Sequence, residues 1–509
     1  MNSDDQMSKM SGQHVLILGL GTSGLAMARW CAAGGAHVTV ADTRARPPQL
    51  DGLRAAVPSA TFLQAEINAS LLDGAAFTSL LFSPGLSPAL TAGIKAQAGA
   101  LGMSCTNELG VFSQVLADLK ADKNYRPQVI GITGTNGKTT VTALTGQLVQ
   151  RAGKTVAVAG NIGPTLLDTL AERLNADALP EVWVLELSSF QLDGVSNFQP
   201  TVATVLNLSQ DHLDWHETME AYCASKNRVY GASGLMLLNR NDARVLAAVP
   251  LAVKGKPARS YATFGHDAPQ RPGDYGMETV NGMAWLVLAS NADETIKPKR
   301  GSKLGDVAAV ELHIQRLMPA AALRIQGLHN ATNALAALAM AHAAGCALAP
   351  MLHGLRDYKG EPHRVMSVAV INGVEYFDDS KGTNVGATLA ALAGLGTERK
   401  LVVIMGGVGK DQDFSPLAAA ASRYARAVVL IGRDAPLIKK AIADASVTVV
   451  DASSMQNAVG LAAQHAQAGD AVLMSPACAS FDMFDDYEHR ARVFCEAVNA
   501  LALDEGVVL

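Results

Sequence analysis

Six cysteines in 509 residues, at positions 31, 105, 223, 346, 478 and 495, form no C-x-x-C pair and no Cys/His cluster. That spacing argues against a disulfide framework and a structural zinc site, and predicts six free thiols. Charge of one sign is equally scarce: 41 Lys plus Arg stand against 46 Asp plus Glu, a net of −5, with no long run of either. A surface built for nucleic acid is a poor expectation on that balance. Long hydrophobic runs are missing too. The most apolar stretch, 334–351, is mostly alanine interrupted by His342, Gly345 and Pro350, and reads as buried helix, without membrane insertion. The opening MNSDDQMSKMSGQ carries no apolar core of the secretory kind, which predicts a cytoplasmic chain. What remains is an ordinary globular composition, 49% hydrophobic and 17% charged, long enough for two to four domains.

Apolar runs of strand length alternate with alanine-rich helical stretches at 14–20, 37–41, 79–82, 128–133, 155–159, 182–186 and 202–207. This alternation predicts an α/β fold of parallel sheets covered by helices. The rhythm returns at 401–405, 427–431, 447–450 and 471–474, the mark of a separate last α/β unit. A polar connector at 119–127 (LKADKNYRP), a Gly-, Pro- and charge-rich segment at 265–305 and a break at 358–362 interrupt it. The expected division is three domains, 1–105, 106–360 and 361–509, with 265–305 an irregular elaboration of the second. Asn281-Gly282 and Asn372-Gly373 mark two hairpin turns.

The strand QVIGIT runs into Gly134, Thr135, Asn136, Gly137, Lys138, Thr139 and Thr140, and then into a helical stretch. Glycines before a helix start let backbone N–H groups close on phosphate oxygens, with Lys138 on the β and γ phosphates and Thr139 on Mg2+. The spacing is a shortened G-x-x-G-K-T, because Ile132 stands where the usual first glycine falls. Glu186 ends the apolar strand VWVLE, where a carboxylate bound to metal would face those phosphates. Asp211, His212, Asp214, His216 and Lys226 follow in one segment; two histidines alone do not complete a zinc site. At the other end of the chain Gly19, Gly21 and Gly24 form a complete G-x-G-x-x-G with Asp42 closing the next strand, a dinucleotide fingerprint. An NAD-dependent oxidoreductase is therefore a rival reading, and a nucleotide-binding module without catalysis a third.

With GTNGKTT, ELSSFQL, NLSQDHLDWH and its trailing lysine, GLHNATNALAAL, HR and DDSKGTN in that order, the chain resembles the ATP-dependent Mur ligases of peptidoglycan synthesis over nearly its whole length. GLGTSG with ADTR, SPG at 83–85, GNIG at 160–163 and SPACASFDMF at 475–484 resemble the branch that adds D-glutamate to UDP-N-acetylmuramoyl-L-alanine. The resemblance implies a Rossmann-like UDP-binding domain, a central P-loop-type ATPase domain and a C-terminal Rossmann-like domain that binds the amino acid. It implies that Thr22, Ser23, Thr43 and Gly85, with Asn161, Ser188 and Gln191 from the central domain, hold the UDP substrate. ATP would meet Gly134 to Thr140, Asn330, Asn333, Arg364, Asp379 and Lys381. On sequence alone Asn330 fits a helix cap equally well.

Two Mg2+ ions are implied on Thr139, Glu186, His212 and Lys226, the lysine converted by CO2 to a carbamate. A lysine is neutral in only about one molecule in 10^3 at neutral pH, so this modification needs a site that depresses its pKa. Lys138, His212 and Lys226 are the expected catalytic set, and Thr383, Lys410, Ser480, Phe481 and Tyr487 the expected D-glutamate contacts. The family also implies a monomer. The alternatives within it are a member that adds another amino acid, against which stands the lack of an Asp-Asn-Pro-Arg motif, and the folate-polyglutamating branch.

Overall fold

Three parallel sheets lie in succession along the chain in the computed structural model, which describes residues 10–249, 259–292, 311–325, 327–397 and 399–507. The first has five strands in the spatial order Thr61–Gln64, His37–Asp42, His14–Leu18, Ser79–Phe82 and Ser104–Thr106. The second has six: Tyr261–Phe264, Leu235–Asn239, Val202–Val205, Gln128–Thr133, Val182–Glu186 and Val156–Gly160. The third runs Met366–Ile371, Val374–Asp378, Ala471–Met474, Leu401–Met405, Ala425–Leu430 and Thr448–Asp451, with only its first pair antiparallel. Central strands such as Leu401–Met405 and Val182–Glu186 are buried at every residue, because helices cover both faces and leave no polar side for alternation. In each sheet the chain order reverses partway across, and the crevice at the carboxyl ends of the strands beside that reversal is where α/β sheets bind ligands.

Packing joins the first two sheets and leaves the third separate. One apolar cluster runs from Ile17 and Trp30 through Leu109 and Phe112 of the helix Glu108–Lys123 to Trp183 and Leu185 of the second sheet. The last sheet is covered by two clusters drawn from residues 365–507 alone.

Three expectations need correction. The connector at 119–127 is mostly the end of the helix Glu108–Lys123; the chain leaves it at Asn124, a left-handed cap (φ 53°). Lys120 and Lys123 lie in that last turn, where cations suit the helix dipole, so their charge signals a helix end. The stretch 334–351 is two helices, Leu328–Ala343 and Leu348–Asp357, parted at Gly345 (φ 81°). The segment 265–305 is ordered where described: Tyr275–Val280, Met283–Asn291 and Leu312–Pro319 form an antiparallel three-stranded sheet turning at Asn281-Gly282, while 293–305 lie outside the described residues. Arg240 ties this sheet down, donating from Nη1 to the Tyr275 carbonyl at 2.6 Å, and Tyr275 Oη meets His342 Nδ1 at 2.5 Å.

Candidate active site

The strand Gln128–Thr133 delivers its carboxyl end into the loop 134–137, and the helix Lys138–Arg151 begins with Gly137 as its cap in the left-handed region (φ 84°). A Cβ there would also press on Asn333 Oδ1 at 2.8 Å, so conformation and space both demand glycine. With no cap side chain, the first helical N–H groups stay free for an anion. Lys138 Nζ folds back and donates to the carbonyls of Gly134 and Thr135, each at 2.9 Å. Burial pushes its pKa down while Glu186 and Asp211 pull it back up.

Lys226 comes up beneath the same loop from the helix Met219–Asn227. It is 2% exposed, and its Nζ donates to the Gly134 carbonyl at 2.8 Å over the ring of Tyr222. Burial first, then the neighbouring Lys138, hold its pKa well below the ordinary lysine value, although Asp211 and Glu186 oppose them. Glu186 is buried and accepts from Asn161 Nδ2 at 3.0 Å. His212 sits in the left-handed region (φ 54°) against Phe190, and burial lowers its pKa, which favours the neutral, metal-ligating imidazole. Among the described residues no three His, Cys, Asp or Glu side chains gather as a ready metal site.

The third sheet brings its residues to the same place. Arg364 Nη2 donates to Thr139 Oγ1 at 2.8 Å. Asp379 is buried, accepts from Ser475 Oγ at 2.7 Å, and is pushed up to about 7 chiefly by burial. Burial, with Arg364 nearby, lowers the Lys381 pKa, and its ammonium lies over the Tyr487 ring at 4.9 Å. Asn136, Gly137, Thr140, Asn330, Asn333, Arg364 and Asp379 line one cavity of about 100 Å³. Asn330 is not the cap of its helix: Gly327 holds that place, and Asn330 instead accepts from Asn333 Nδ2 at 3.3 Å.

A second cavity, about 460 Å³, opens between the first two sheets and is lined by Thr22, Ser23, Gly85, Asn161, Ser188 and Gln191 among others. Thr43 does not line it and is exposed beyond the end of its strand. Asn161 belongs to this cavity and also to the Glu186 contact, so the two sites share a wall. Of the five residues expected on D-glutamate, Thr383, Lys410 and Ser480 sit on loops beyond the carboxyl ends of the third sheet's strands, and Tyr487 opens the helix Tyr487–Asp504. The 408 and 479 backbones pair reciprocally at 2.8 and 2.9 Å, which brings the Lys410 and Ser480 loops together. Phe481 departs from this group: it is 72% exposed and lines a separate surface cavity with Arg433 and Met483.

Family models match the chain in three blocks: a Mur ligase MurD-like N-terminal domain over 13–105, a Mur ligase middle domain over 132–341, and a Mur ligase glutamate ligase domain over 363–478. The chain is 62% identical over 504 residues to a UDP-N-acetylmuramoylalanine--D-glutamate ligase of Albidiferax ferrireducens, covering 98% of each chain. This protein belongs to the Mur ligase family. It is accordingly an ATP-dependent ligase that forms amide bonds. A relative of the same name from Ralstonia nicotianae is 54% identical, covering 98% of this chain and 99% of that one. Among solved structures, MurF ligase from Thermotoga maritima in complex with ADP shares the fold, with a TM-score of 0.57 at 14% identity over 97% of both chains.

Within a Mur ligase the dinucleotide fingerprint needs another explanation, and Asp42 supplies it. Its two oxygens accept from the Leu20 N–H at 2.8 Å and from Arg44 Nε and Nη2 at 2.9 and 2.8 Å. Burial alone would raise this carboxyl, but those donors hold it at about 2. An acid so fully engaged has little left for the ribose hydroxyls that an oxidoreductase would offer it. No helix among the described residues is long and apolar enough to cross a membrane.

Sequence reasoning passed over Arg490. It is 1% exposed, lies in the helix Tyr487–Asp504, and donates to the carbonyls of Ser380 at 2.7 Å and Cys478 at 3.0 Å. One guanidinium thus fastens the loop of Lys381 and Thr383 to the loop of Ser480. Its signal in the sequence is faint, a single arginine three residues past Tyr487 on a mixed helix.

Proposed function

We propose that this Mur ligase adds D-glutamate to UDP-N-acetylmuramoyl-L-alanine in the cytoplasm, using ATP and giving ADP and phosphate. The observation that carries the reading is the wall shared by Asn161: it joins the cavity of Thr22, Ser23 and Gly85 to Glu186 and the phosphate loop. A nucleotide sugar bound between the first two sheets would present its alanine carboxylate to the γ phosphate held by Lys138. The division at 1–105, 106–360 and 361–509 follows the same logic, one part for each substrate.

The residues present fit a magnesium nucleotide. The loop offers free helix N–H groups and a cation, and Glu186, Thr139 and neutral His212 offer oxygen and nitrogen donors. With one carboxylate and one imidazole the donor set is short of negative charge. A carbamate on Lys226 would supply it, and the depressed pKa of that amine favours its reaction with CO2. Two Mg2+ ions held by Thr139, Glu186, His212 and Lys226 would neutralise charge on the transferred phosphoryl group.

The alanine carboxylate attacks the γ phosphorus and ADP leaves, producing an acyl phosphate. Lys138 stabilises the charge that develops on the phosphoryl oxygens. Arg364, Asp379 and Lys381 enclose the nucleotide from the third sheet and keep water from the labile anhydride. Lys410, Thr383 and Ser480 orient the two carboxylates of D-glutamate, Tyr487 packs beside them, and the free amine attacks the acyl carbon and expels phosphate. Phosphate release from ATP and Mg2+ with the nucleotide sugar, compared across D-glutamate, L-glutamate and other amino acids, tests the assignment. Release that requires both the sugar and D-glutamate supports it; preference for another amine moves the protein to a sibling activity.

A further inference from the structure

Asn384 caps the helix Val385–Gly396, accepting from the Ala387 N–H at 2.9 Å, yet three of its four hydrogen bonds leave that helix. Its Oδ1 also accepts from Asn136 Nδ2 at 3.1 Å, and its Nδ2 donates to Asn136 Oδ1 at 3.0 Å and to Asp211 Oδ2 at 3.3 Å. The side chain is 3% exposed and every donor and acceptor on it is engaged. Asn136 belongs to the phosphate loop, and Asp211 stands beside His212. Two residues on, Gly386 lies so near Ser209 that a Cβ would meet Ser209 Oγ at 2.7 Å and its Cβ at 3.2 Å. A helix cap needs only the acceptor, so the two outward donors call for another explanation.

We propose that Asn384 is a positioning residue that docks the amino-acid-binding part of the chain on the phosphate loop, and so sets how often the nucleotide contacts of Arg364, Asp379 and Lys381 are assembled. The proposal rests on the reading of the site given above. The last sheet has its own apolar clusters, so this small polar junction carries much of the specificity of docking. If docking is populated only part of the time, apparent nucleotide affinity falls in proportion.

Asn384→Asp separates docking from capping. The carboxylate keeps both acceptor roles, including the cap, but loses both donors and faces Asp211; opening the junction returns both acids to water and spares the fold of each part. The expected result is an ADP dissociation constant, by calorimetry on the full chain, raised about tenfold or more, with little change in melting temperature and unchanged affinity for UDP-N-acetylmuramoyl-L-alanine. The exchange Asp211→Asn with Asn384→Asp restores one acid and one amide to the junction and should recover most of the ADP affinity. Gly386→Val, whose side chain would press on Ser209 and on Asn136 Nδ2, should part the junction and weaken ADP in the same way.

An Asn384→Asp protein that binds ADP as wild type does would overturn the proposal and leave Asn384 a helix cap. Loss of ADP affinity accompanied by equal loss of nucleotide-sugar affinity would overturn it too, since that signals general damage. Wild-type protein that releases no phosphate with D-glutamate would sink the functional reading instead, and the ADP titrations, which need no turnover, would still decide the docking role.

Discussion

Lys226 shows how much chemistry a single buried side chain carries. Its amine shares the Gly134 carbonyl with Lys138, which sets two lysines side by side beneath a loop proposed to hold phosphates. We expect Lys226→Met to lower kcat by about 10^3-fold or more, as losing a principal electrostatic group does, while stability at pH 8 stays equal or rises because a buried polar group is removed. Phosphate-release assays and a thermal melt read the two effects separately. Asp379 gives a pH signature of its own. Burial raises its carboxyl from 3.8 to about 7, so between those values the folded state holds a proton that the unfolded chain has lost. Stability contributed by that proton is present at low pH and falls as pH rises through the window, by at most about 1.4 kcal/mol per unit. His216, which burial pushes down to about 4, acts with the opposite sign below pH 6.5. Urea denaturation at pH 5 and pH 8 should show Asp379→Asn losing the Asp379 slope while the histidine contribution remains.

At the scale of elements, the inserted antiparallel sheet packs Tyr275, Leu286 and Met318 into the apolar cluster shared by the second sheet and the helix Leu328–Ala343. Its turn, Asn281 (φ 52°) and Gly282 (φ 79°), has both central residues in the left-handed region that a two-residue hairpin needs. Nothing crowds Gly282, so Gly282→Ala isolates the backbone cost, which we expect to be about 1 kcal/mol of stability with kcat unchanged, by chemical denaturation and steady-state assay. The turn was legible in the sequence because Asn-Gly is a local signal. The sheet around it was not: Met283–Asn291 and Leu312–Pro319 pair across the inserted segment, and no local pattern announces a partner that far away. The same holds for Lys120 and Lys123, whose polarity suggested a linker while Leu119 beside them is fully buried in the shared core.

Over the whole molecule, the first two sheets share a core and the third meets them at the site through polar contacts, among them Arg364 on Thr139, Asn384 on Asn136, and Lys410 Nζ at 3.8 Å from Asp211. Arg364 and Asn136 line the cavity of about 100 Å³ beside these contacts, smaller than the roughly 300 Å³ at which ligand pockets begin, so we expect the third part to move away as nucleotide enters. Arg364→Ala should raise the KM for ATP about tenfold, the cost of a charge-assisted hydrogen bond, while leaving the KM for the nucleotide sugar in place. Arg29, which pairs with Asp168 across the first two parts through Nε at 3.0 Å, is a contrasting case. Both partners are over 30% exposed, so Arg29→Ala should cost at most about 1 kcal/mol and change the nucleotide-sugar KM by a few-fold only.

The sequence by itself determined the α/β class, the order of its buried strands, the phosphate loop and the family, because each is written in neighbouring residues: branched apolar runs, a glycine turn before a helix, motifs in fixed order. It also named Lys226 without revealing why an unremarkable helix lysine would hold its proton less tightly than usual. Only the tertiary structure decided that, by burying the amine under Gly134 beside Lys138. The engagement of Asp42 by the Leu20 N–H, the clamp of Arg490 on two loops and the docking of Asn384 on Asn136 are likewise tertiary. The last joins residues 248 positions apart, and folding alone creates the low-dielectric junction in which their hydrogen bonds gain their strength.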